Sequence, residues 1–188
     1  MRRIGLIALL GLVAWALWRG WLPWPDWLPE PPWQAPLPRI ELPTGPLTGT
    51  VERIVIDKSD RMMIAIQDGR PARVYTVALG FAPQGDKLRQ GDGRTPEGLF
   101  RVDRRNDRSK FHLSLGLDYP RPEDRRRAAA QGLDPGGDIF IHGQPNGRVE
   151  EGHAIRGDWT DGCIAVSDAE IRELFAATPI GTEVEIRP

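Results

Sequence analysis

The chain has 188 residues, of which 40% are hydrophobic and 27% are charged, enough apolar material for one ordinary core. Its formal net charge is -1 and its isoelectric point is near 6.3. The apolar content predicts one folded domain, and the charge balance gives no basic field for nucleic acid, so we expect no nucleic-acid partner.

Residues 1–22 have the composition of a transmembrane signal-anchor. Arg2 and Arg3 precede an uncharged apolar stretch over residues 4–18, and tryptophans flank its far end. The stretch is shorter than the roughly 20 residues of a full span, but tryptophans are typical of the membrane interface. A cleaved signal peptide is the alternative, because Ala14-Trp15-Ala16 has a loose A-x-A form. Either way, the positive flank predicts that the remainder of the chain is exported.

Residues 23–46 form a predicted Pro/Trp-rich linker. Prolines recur there every few residues, which opposes regular helix and favours an extended, polyproline-like tether. We therefore place the folded domain at residues 47–188.

The first half of that domain is predicted to be rich in β-strands. Alternating or clustered apolar residues predict a strand meander over residues 51–56, 62–66 and 74–79, and a further strand over residues 98–102. The run Asp68-Gly69-Arg70-Pro71 predicts the turn before the third strand. The charged stretch over residues 101–108 is interpreted as a solvated face.

The second half combines two predicted helices with short strands. Pro122 suits a first helical position and Gly132 a helix end, which predicts a helix over residues 122–131. Ser167 and Glu170 have the spacing of a capping box, which predicts a helix that ends before Pro179. Short strands are expected over residues 139–141, 164–166 and 182–186.

Cys163 is the single cysteine of the chain, so it forms neither an internal disulfide nor a cysteine metal cluster. A buried structural thiol is the plain alternative, since free cysteine often packs as a small hydrophobe. The preceding Gly162 and a histidine at the end of an earlier apolar run favour a nucleophile instead.

His142 is the best candidate for the base that such a thiol needs at neutral pH. It ends a predicted strand whose neighbour is expected to be the strand after Cys163. Gly143 and Gly162 leave space for a substrate backbone, and the amides of Gly162 and Cys163 are expected to form an oxyanion hole.

The two other histidines have simpler interpretations. His112 is expected to be a half-buried strand residue, and His153 lies in a polar loop. A zinc site formed by His112, His142 and His153 lacks the usual ligand spacing, so we expect no metal and no cofactor.

The segments Ile141-His142-Gly143 and Thr160-Asp161-Gly162-Cys163-Ile164 resemble the active-site signature of the L,D-transpeptidase catalytic domain (YkuD type). That signature is a histidine-glycine pair followed by Ser/Thr-His-Gly-Cys-Ile/Val-Arg. The resemblance extends over residues 51–188, including a Thr-Pro-x-Gly turn within residues 92–98. It implies a mainly β, sandwich-like fold with short helices.

The resemblance also implies roles for individual residues. Cys163 would be the nucleophile and His142 the general base, with the main chain of Gly143 orienting the imidazole. The amides of Gly162 and Cys163 would hold the oxyanion, and Thr160 takes the Ser/Thr position.

Two positions depart from the signature. Asp161 stands in place of the histidine and Ala165 in place of the arginine. A carboxylate cannot act as the neutral donor that an imidazole provides, so the contribution of that position to substrate or thiolate is altered.

The activity implied is acyl transfer on peptidoglycan stem peptides through a thioester. Release to an amine would crosslink the wall, and release to water would cleave it. An inactive wall-binding module is a further alternative, because Asp161 and Ala165 are altered. A redox protein is disfavoured, because the chain has no C-x-x-C pair. The expected location is the bacterial inner membrane, with a monomeric domain facing the periplasm, or the periplasm itself if the N-terminus is cleaved.

Overall fold

A computed structural model describes residue 43, residues 45–147 and residues 157–188. The predicted signal-anchor, most of the predicted linker and His153 therefore lie outside the described residues. Within the described part of the chain, no helix is both long enough and apolar enough to cross a membrane.

The described residues are mainly β, with two short helices, as predicted. The strands are β1 (Arg53–Asp57), β2 (Met62–Gln67), β3 (Arg70–Thr76), β4 (Gly98–Ser109), β5 (His112–Leu117), β6 (Phe140–His142), β7 (Ile164–Ala165) and β8 (Glu183–Arg187). The helices are α1 (Pro122–Ala129) and α2 (Asp168–Ala177).

The strands follow one continuous order, β3-β2-β1-β8-β4-β5-β6-β7. The pairs β1–β8 and β6–β7 are parallel and the other neighbours are antiparallel. Strand β4 is 12 residues long and pairs with β8 through its first part and with β5 through its second. It thereby joins the two halves of a curled sheet. The sandwich-like fold that was expected is therefore one continuous sheet that curls on itself.

The two edges of the sheet approach each other beyond β3. Isolated bridges join Ala78 to Ala165 and Gly80 to Thr160. Because Ala165 belongs to β7 at the opposite edge, the chain after β3 closes the curl beside Cys163.

The core lies inside this curl. Along β1, Ile54 and Ile56 are fully buried while their neighbours are only partly buried, the period of two expected for a strand with one buried face. Helix α2 adds Ile171 and Leu174 to the same core. Its predicted capping box is confirmed: Glu170 Oε2 accepts from the Ser167 amide at 2.9 Å, and Ser167 Oγ accepts from the Glu170 amide at 3.3 Å.

The bounds of the third and fourth strands were predicted wrongly, and β3 also ends at Thr76 rather than at residue 79. Arg70 and Pro71 belong to β3, and the turn consists of Asp68 and Gly69, both with positive φ. Proline is tolerated there because β3 is an edge strand. Strand β4 continues to Ser109 through the charged stretch. The strand tolerates these charges because most of the side chains face solvent.

Candidate active site

Of the two residues expected to react, His142 ends strand β6 and Cys163 immediately precedes the neighbouring strand β7. In the parallel pair β6–β7, His142 is opposite Ala165 and Ile141 is opposite Ile164. The prediction that these two strands are neighbours in the sheet is therefore confirmed. Cys163 lies immediately before β7, two positions before Ala165.

His142 and Cys163 line one cleft of about 520 Å³. Aromatic side chains of Phe111 and Trp159 form part of its wall, and a glycine pair at residues 136–137 forms another part. The cleft therefore joins a candidate base and a candidate nucleophile in a space large enough for a peptide segment.

The His142 ring is held in one tautomer. Its Nδ1 lies 2.7 Å from the carbonyl oxygen of Gly143, and because a carbonyl only accepts, Nδ1 carries the hydrogen. Nε2 is thus left as the proton-accepting nitrogen. Phe111 stacks on the ring at 4.5 Å between centroids, and Trp159 meets it at 5.8 Å. Burial lowers the pKa of His142, against an opposite effect of the Gly143 carbonyl.

Gly143 fits a site with no room for a side chain. A Cβ there would lie 2.6 Å from Asp168 Oδ1 and 2.9 Å from Ile171 Cγ2, both on α2. The Gly143 amide donates to the Phe111 carbonyl at 3.0 Å. Its amide therefore joins the residue after His142 to the β4–β5 turn, and its lack of a side chain lets α2 pack closely against it.

The Cys163 thiol is half-buried and donates to the Asp138 carbonyl at 3.4 Å. Burial raises its pKa to about 11, and the main chain of Phe140 acts in the opposite direction. The carboxylates of Asp161 and Asp138 raise the pKa further, while Lys87 lowers it. The thiol is consequently protonated at neutral pH and needs a base in order to react.

The turn before Cys163 is fixed by Thr160. Its Oγ1 donates to the Cys163 carbonyl at 2.7 Å and accepts from the Gly162 amide at 3.1 Å. Gly162 has φ of 129°, and a Cβ there would lie 2.6 Å from the Arg94 carbonyl. A substrate oxyanion would have to compete with Thr160 Oγ1 for the hydrogen of the Gly162 amide. The other donor predicted for the oxyanion hole is the amide of Cys163, the candidate nucleophile itself.

The two departures from the signature occupy very different environments. Asp161 is exposed at the mouth of the cleft. Ala165 is fully buried and exchanges backbone hydrogen bonds with Ala78 at 2.8 and 2.9 Å. An arginine at position 165 would have to enter this packed junction, so the alanine fits the local closure of the sheet.

Sequence reasoning missed several residues of the cleft. Phe111 packs on the imidazole, Asp138 accepts from the thiol, and Lys87 brings a buried ammonium to the wall. No spacing rule connects these positions, because separate loops contribute them. His112 is half-buried at the start of β5, as predicted, with Nε2 at 3.1 Å from Arg172.

Comparison with known proteins gives a family and a fold. The family model of the L,D-transpeptidase catalytic domain matches residues 51–186. The helical cell shape determining protein Pgp2 from Campylobacter jejuni is 24% identical with a TM-score of 0.57, and the match covers 74% of this chain and 48% of that chain. Bdellovibrio bacteriovorus Bd1075 is 21% identical with a TM-score of 0.53, and that match covers 74% and 48%.

These solved structures resemble the chain in fold, and the chain spans about half of their length. No curated protein matches it. The family model, however, covers most of the chain and includes every residue of the cleft described above. The chain therefore belongs to the L,D-transpeptidase catalytic domain family.

Proposed function

We propose that the domain is a cysteine-dependent acyltransferase that acts on peptidoglycan stem peptides through a thioester. The observation that carries this proposal is the shared cleft, which is lined by a histidine of fixed tautomer at the end of β6 and by the single thiol of the chain, immediately before the paired strand β7. Membership of the L,D-transpeptidase family supports the choice of substrate.

Acylation begins with proton transfer to His142 Nε2. The Cys163 sulfur attacks the carbonyl between the L-centre of the diamino acid and the terminal D-alanine, forming a carbon–sulfur bond and a tetrahedral oxyanion. The carbon–nitrogen bond then breaks, and the imidazolium returns its proton to the leaving amine of D-alanine. A thioester remains on Cys163.

Deacylation repeats these steps in reverse order with a new nucleophile. An amine from a neighbouring stem, or a water molecule, loses a proton to His142 and attacks the thioester carbonyl. The carbon–sulfur bond breaks and the thiol regains its proton. Amine attack produces a crosslink, and water attack produces a shortened stem.

The pKa values of the thiol and the imidazole determine at which step the proton leaves the sulfur. Because the pKa of Cys163 is about 11, a free thiolate is scarce at neutral pH. The lowered pKa of His142 keeps the imidazole neutral and able to accept a proton. Deprotonation therefore accompanies attack, which is general-base catalysis.

The test uses purified muropeptides and four variants. Cys163→Ala, Cys163→Ser and His142→Asn are expected to abolish turnover while the circular dichroism spectrum stays unchanged. His112→Asn is the matched control, because His112 is half-buried outside the cleft and its φ of 66° suits asparagine. Undiminished turnover by Cys163→Ala would contradict the proposal.

The products identify the acyl acceptor. Muropeptide profiles after overexpression of the wild type and of Cys163→Ala are compared by liquid chromatography and mass spectrometry. New crosslinks would identify a transpeptidase, whereas lost crosslinks or shortened stems would identify a hydrolase of the same fold. Profiles that match in both strains would favour a wall-binding module without catalysis.

We further propose that residues 1–22 anchor the chain in the inner membrane, with the catalytic domain in the periplasm. The basic start, the uncharged apolar stretch and the tryptophans support this location. Gel mobility of the membrane fraction, with and without inhibition of signal peptidase, tests the anchor. A shortened soluble form that disappears under inhibition would contradict it.

A further inference from the structure

Two lysines of the domain are buried to the same extent. Lys58 and Lys87 are each 3% exposed. A buried ammonium group is costly unless it is paired and its N–H donors are used. The partners of each Nζ therefore indicate what each lysine does.

Lys58 has a full set of partners. Its Nζ donates to the carbonyl oxygens of Gly85 at 2.7 Å and Thr95 at 3.1 Å, and to Glu97 Oε1 at 2.7 Å. All three donors of the ammonium group are used. Lys58 is thus a structural cross-link and has no donor left for a ligand.

Lys87 has an incomplete set. Its Nζ donates to Asp92 Oδ1 at 2.8 Å, which is its one hydrogen bond among the residues that the structure describes. Within the described part of the chain, the other two N–H donors of Nζ have no hydrogen-bond partner. Lys87 lines the same cleft as His142 and Cys163.

Charge in the cleft is distributed unevenly. Among the described lining residues, Lys87 is the single lysine or arginine, whereas Asp138 and Asp161 supply carboxylates. An anionic group in the cleft is repelled at the two aspartates and attracted at Lys87. Lys87 also lowers the pKa of the Cys163 thiol, which indicates that its charge acts within the same site.

The loop that carries Lys87 does not depend on its charge alone. Besides the ammonium group, Asp92 accepts from the amides of Leu88 at 2.8 Å, Arg89 at 3.0 Å and Arg94 at 3.1 Å. A variant without the ammonium would thus leave the Asp92 carboxylate hydrogen-bonded.

We propose that Lys87 binds a carboxylate of the stem peptide through its two remaining N–H donors. This inference rests on the proposed function, since it names the anion-binding residue of the same cleft. The carboxylate is either the C-terminal one of the peptide or one carried by a side chain of the stem. Both present the same pair of oxygens to an ammonium group.

Binding is measured by calorimetry in the Cys163→Ala background, so that no chemistry is required. Three ligands are compared: a stem tetrapeptide, its C-terminal carboxamide, and the tetrapeptide with amidated side-chain carboxylates. Lys87→Met is expected to raise the Kd of the tetrapeptide about 10-fold to 100-fold, the usual effect of losing a charge-assisted hydrogen bond. Arg89→Met is the matched control, because Arg89 is exposed on the same loop and does not line the cleft.

The amidated ligands identify the source of the carboxylate. The ligand that lacks the relevant carboxylate binds weakly to the parent and equally weakly to Lys87→Met. Lys87→Gln keeps a donor for Asp92 without the charge, so it provides a second variant if Lys87→Met folds poorly. The inference is overturned if the folded Lys87 variants bind all three ligands with the parent's preferences.

Failure of this inference is distinct from failure of the proposed function. If Lys87-dependent binding is found but the wild type forms no thioester, the proposed chemistry fails and the role of Lys87 stands. If the wild type forms the thioester while Lys87 variants bind normally, the proposed chemistry stands and Lys87 is a structural partner of Asp92.

Discussion

Burial acts on Cys163 and His142 in the same sense, because in both cases it disfavours the charged form. It raises the pKa of the thiol to about 11 and lowers that of the imidazole. The pair is therefore a neutral thiol and a neutral imidazole, and an ion pair of thiolate and imidazolium is disfavoured. The proposed reaction therefore has to separate the proton from the sulfur during attack.

This state predicts the pH dependence of alkylation by iodoacetamide. Thiolate is the reactive form, so the rate should rise steadily with pH and level off only near the thiol pKa of about 11. Intact mass against time measures the rate, and one thiol per chain makes the result unambiguous. A plateau already reached below neutral pH would indicate a preformed ion pair and contradict the account.

Asp161 sets part of this thiol pKa. Its carboxylate raises the pKa of Cys163, so Asp161→Asn should lower that pKa and accelerate alkylation at neutral pH. The acceleration should shrink at high salt, because Asp161 is exposed. Asp60→Asn, an exposed turn residue remote in sequence, is the control. An unchanged or slower rate would show that Asp161 does not act on the sulfur.

At this scale, the sequence allowed the candidate pair of the cleft to be predicted but not its surroundings. Cys163 was indicated by its preceding glycine, and His142 by its place at a strand end. Phe111, Lys87 and Asp138 reach the cleft through tertiary contacts, and no local spacing signals such contacts. The full partner sets that separate Lys58 from Lys87 likewise exist only in the fold.

At the scale of elements, the turn before β7 is fastened to the chain after β3. Asp158 Oδ1 accepts from the Leu79 amide at 2.9 Å, and Oδ2 accepts from Arg61 Nη2 at 2.9 Å. The amides of Trp159 and Thr160 both donate to the Leu79 carbonyl at 3.1 Å. The position of Cys163 thus depends on residues far from it in sequence.

Asp158→Ala removes the side-chain half of this attachment and should reduce kcat/KM by about 10-fold or more, because small displacements of a reacting group are costly. Asp57→Ala is the matched control, since Asp57 accepts from Ser59 and Asp60 in the β1–β2 turn. Steady-state kinetics and Tm are measured for both. Activity losses that simply follow the Tm losses in both variants would reduce Asp158 to a structural residue.

Elements were predicted well where the apolar period was clear and poorly where a tertiary effect prevailed. The capped helix α2 and the short strand β7 could be placed from their residue patterns. Pro71 suggested a turn, but an edge strand accommodates a missing amide. The charges of β4 suggested only a solvated face and the predicted strand ended at residue 102, although pairing with β5 keeps the segment extended to Ser109.

At the scale of the whole molecule, the curl of the sheet creates the cleft. Bridges from Ala78 and Gly80 join the chain after β3 to β7 and to the turn before it. The cleft wall then combines segments around residues 87–91, 136–142 and 159–163. Strand patterns predicted the pieces, but the closure depends on long-range pairing that no single segment encodes.

The central claim is that Cys163 carries the acyl group during turnover. The most direct measurement is intact-protein mass spectrometry of the wild type quenched in acid during reaction with a stem tetrapeptide, followed by peptide mapping. The account predicts a mass gain equal to the peptide less its terminal D-alanine, located on Cys163 and absent from Cys163→Ala and His142→Asn. Turnover of the tetrapeptide by Cys163→Ala, or an acyl group mapped to another residue, would contradict it.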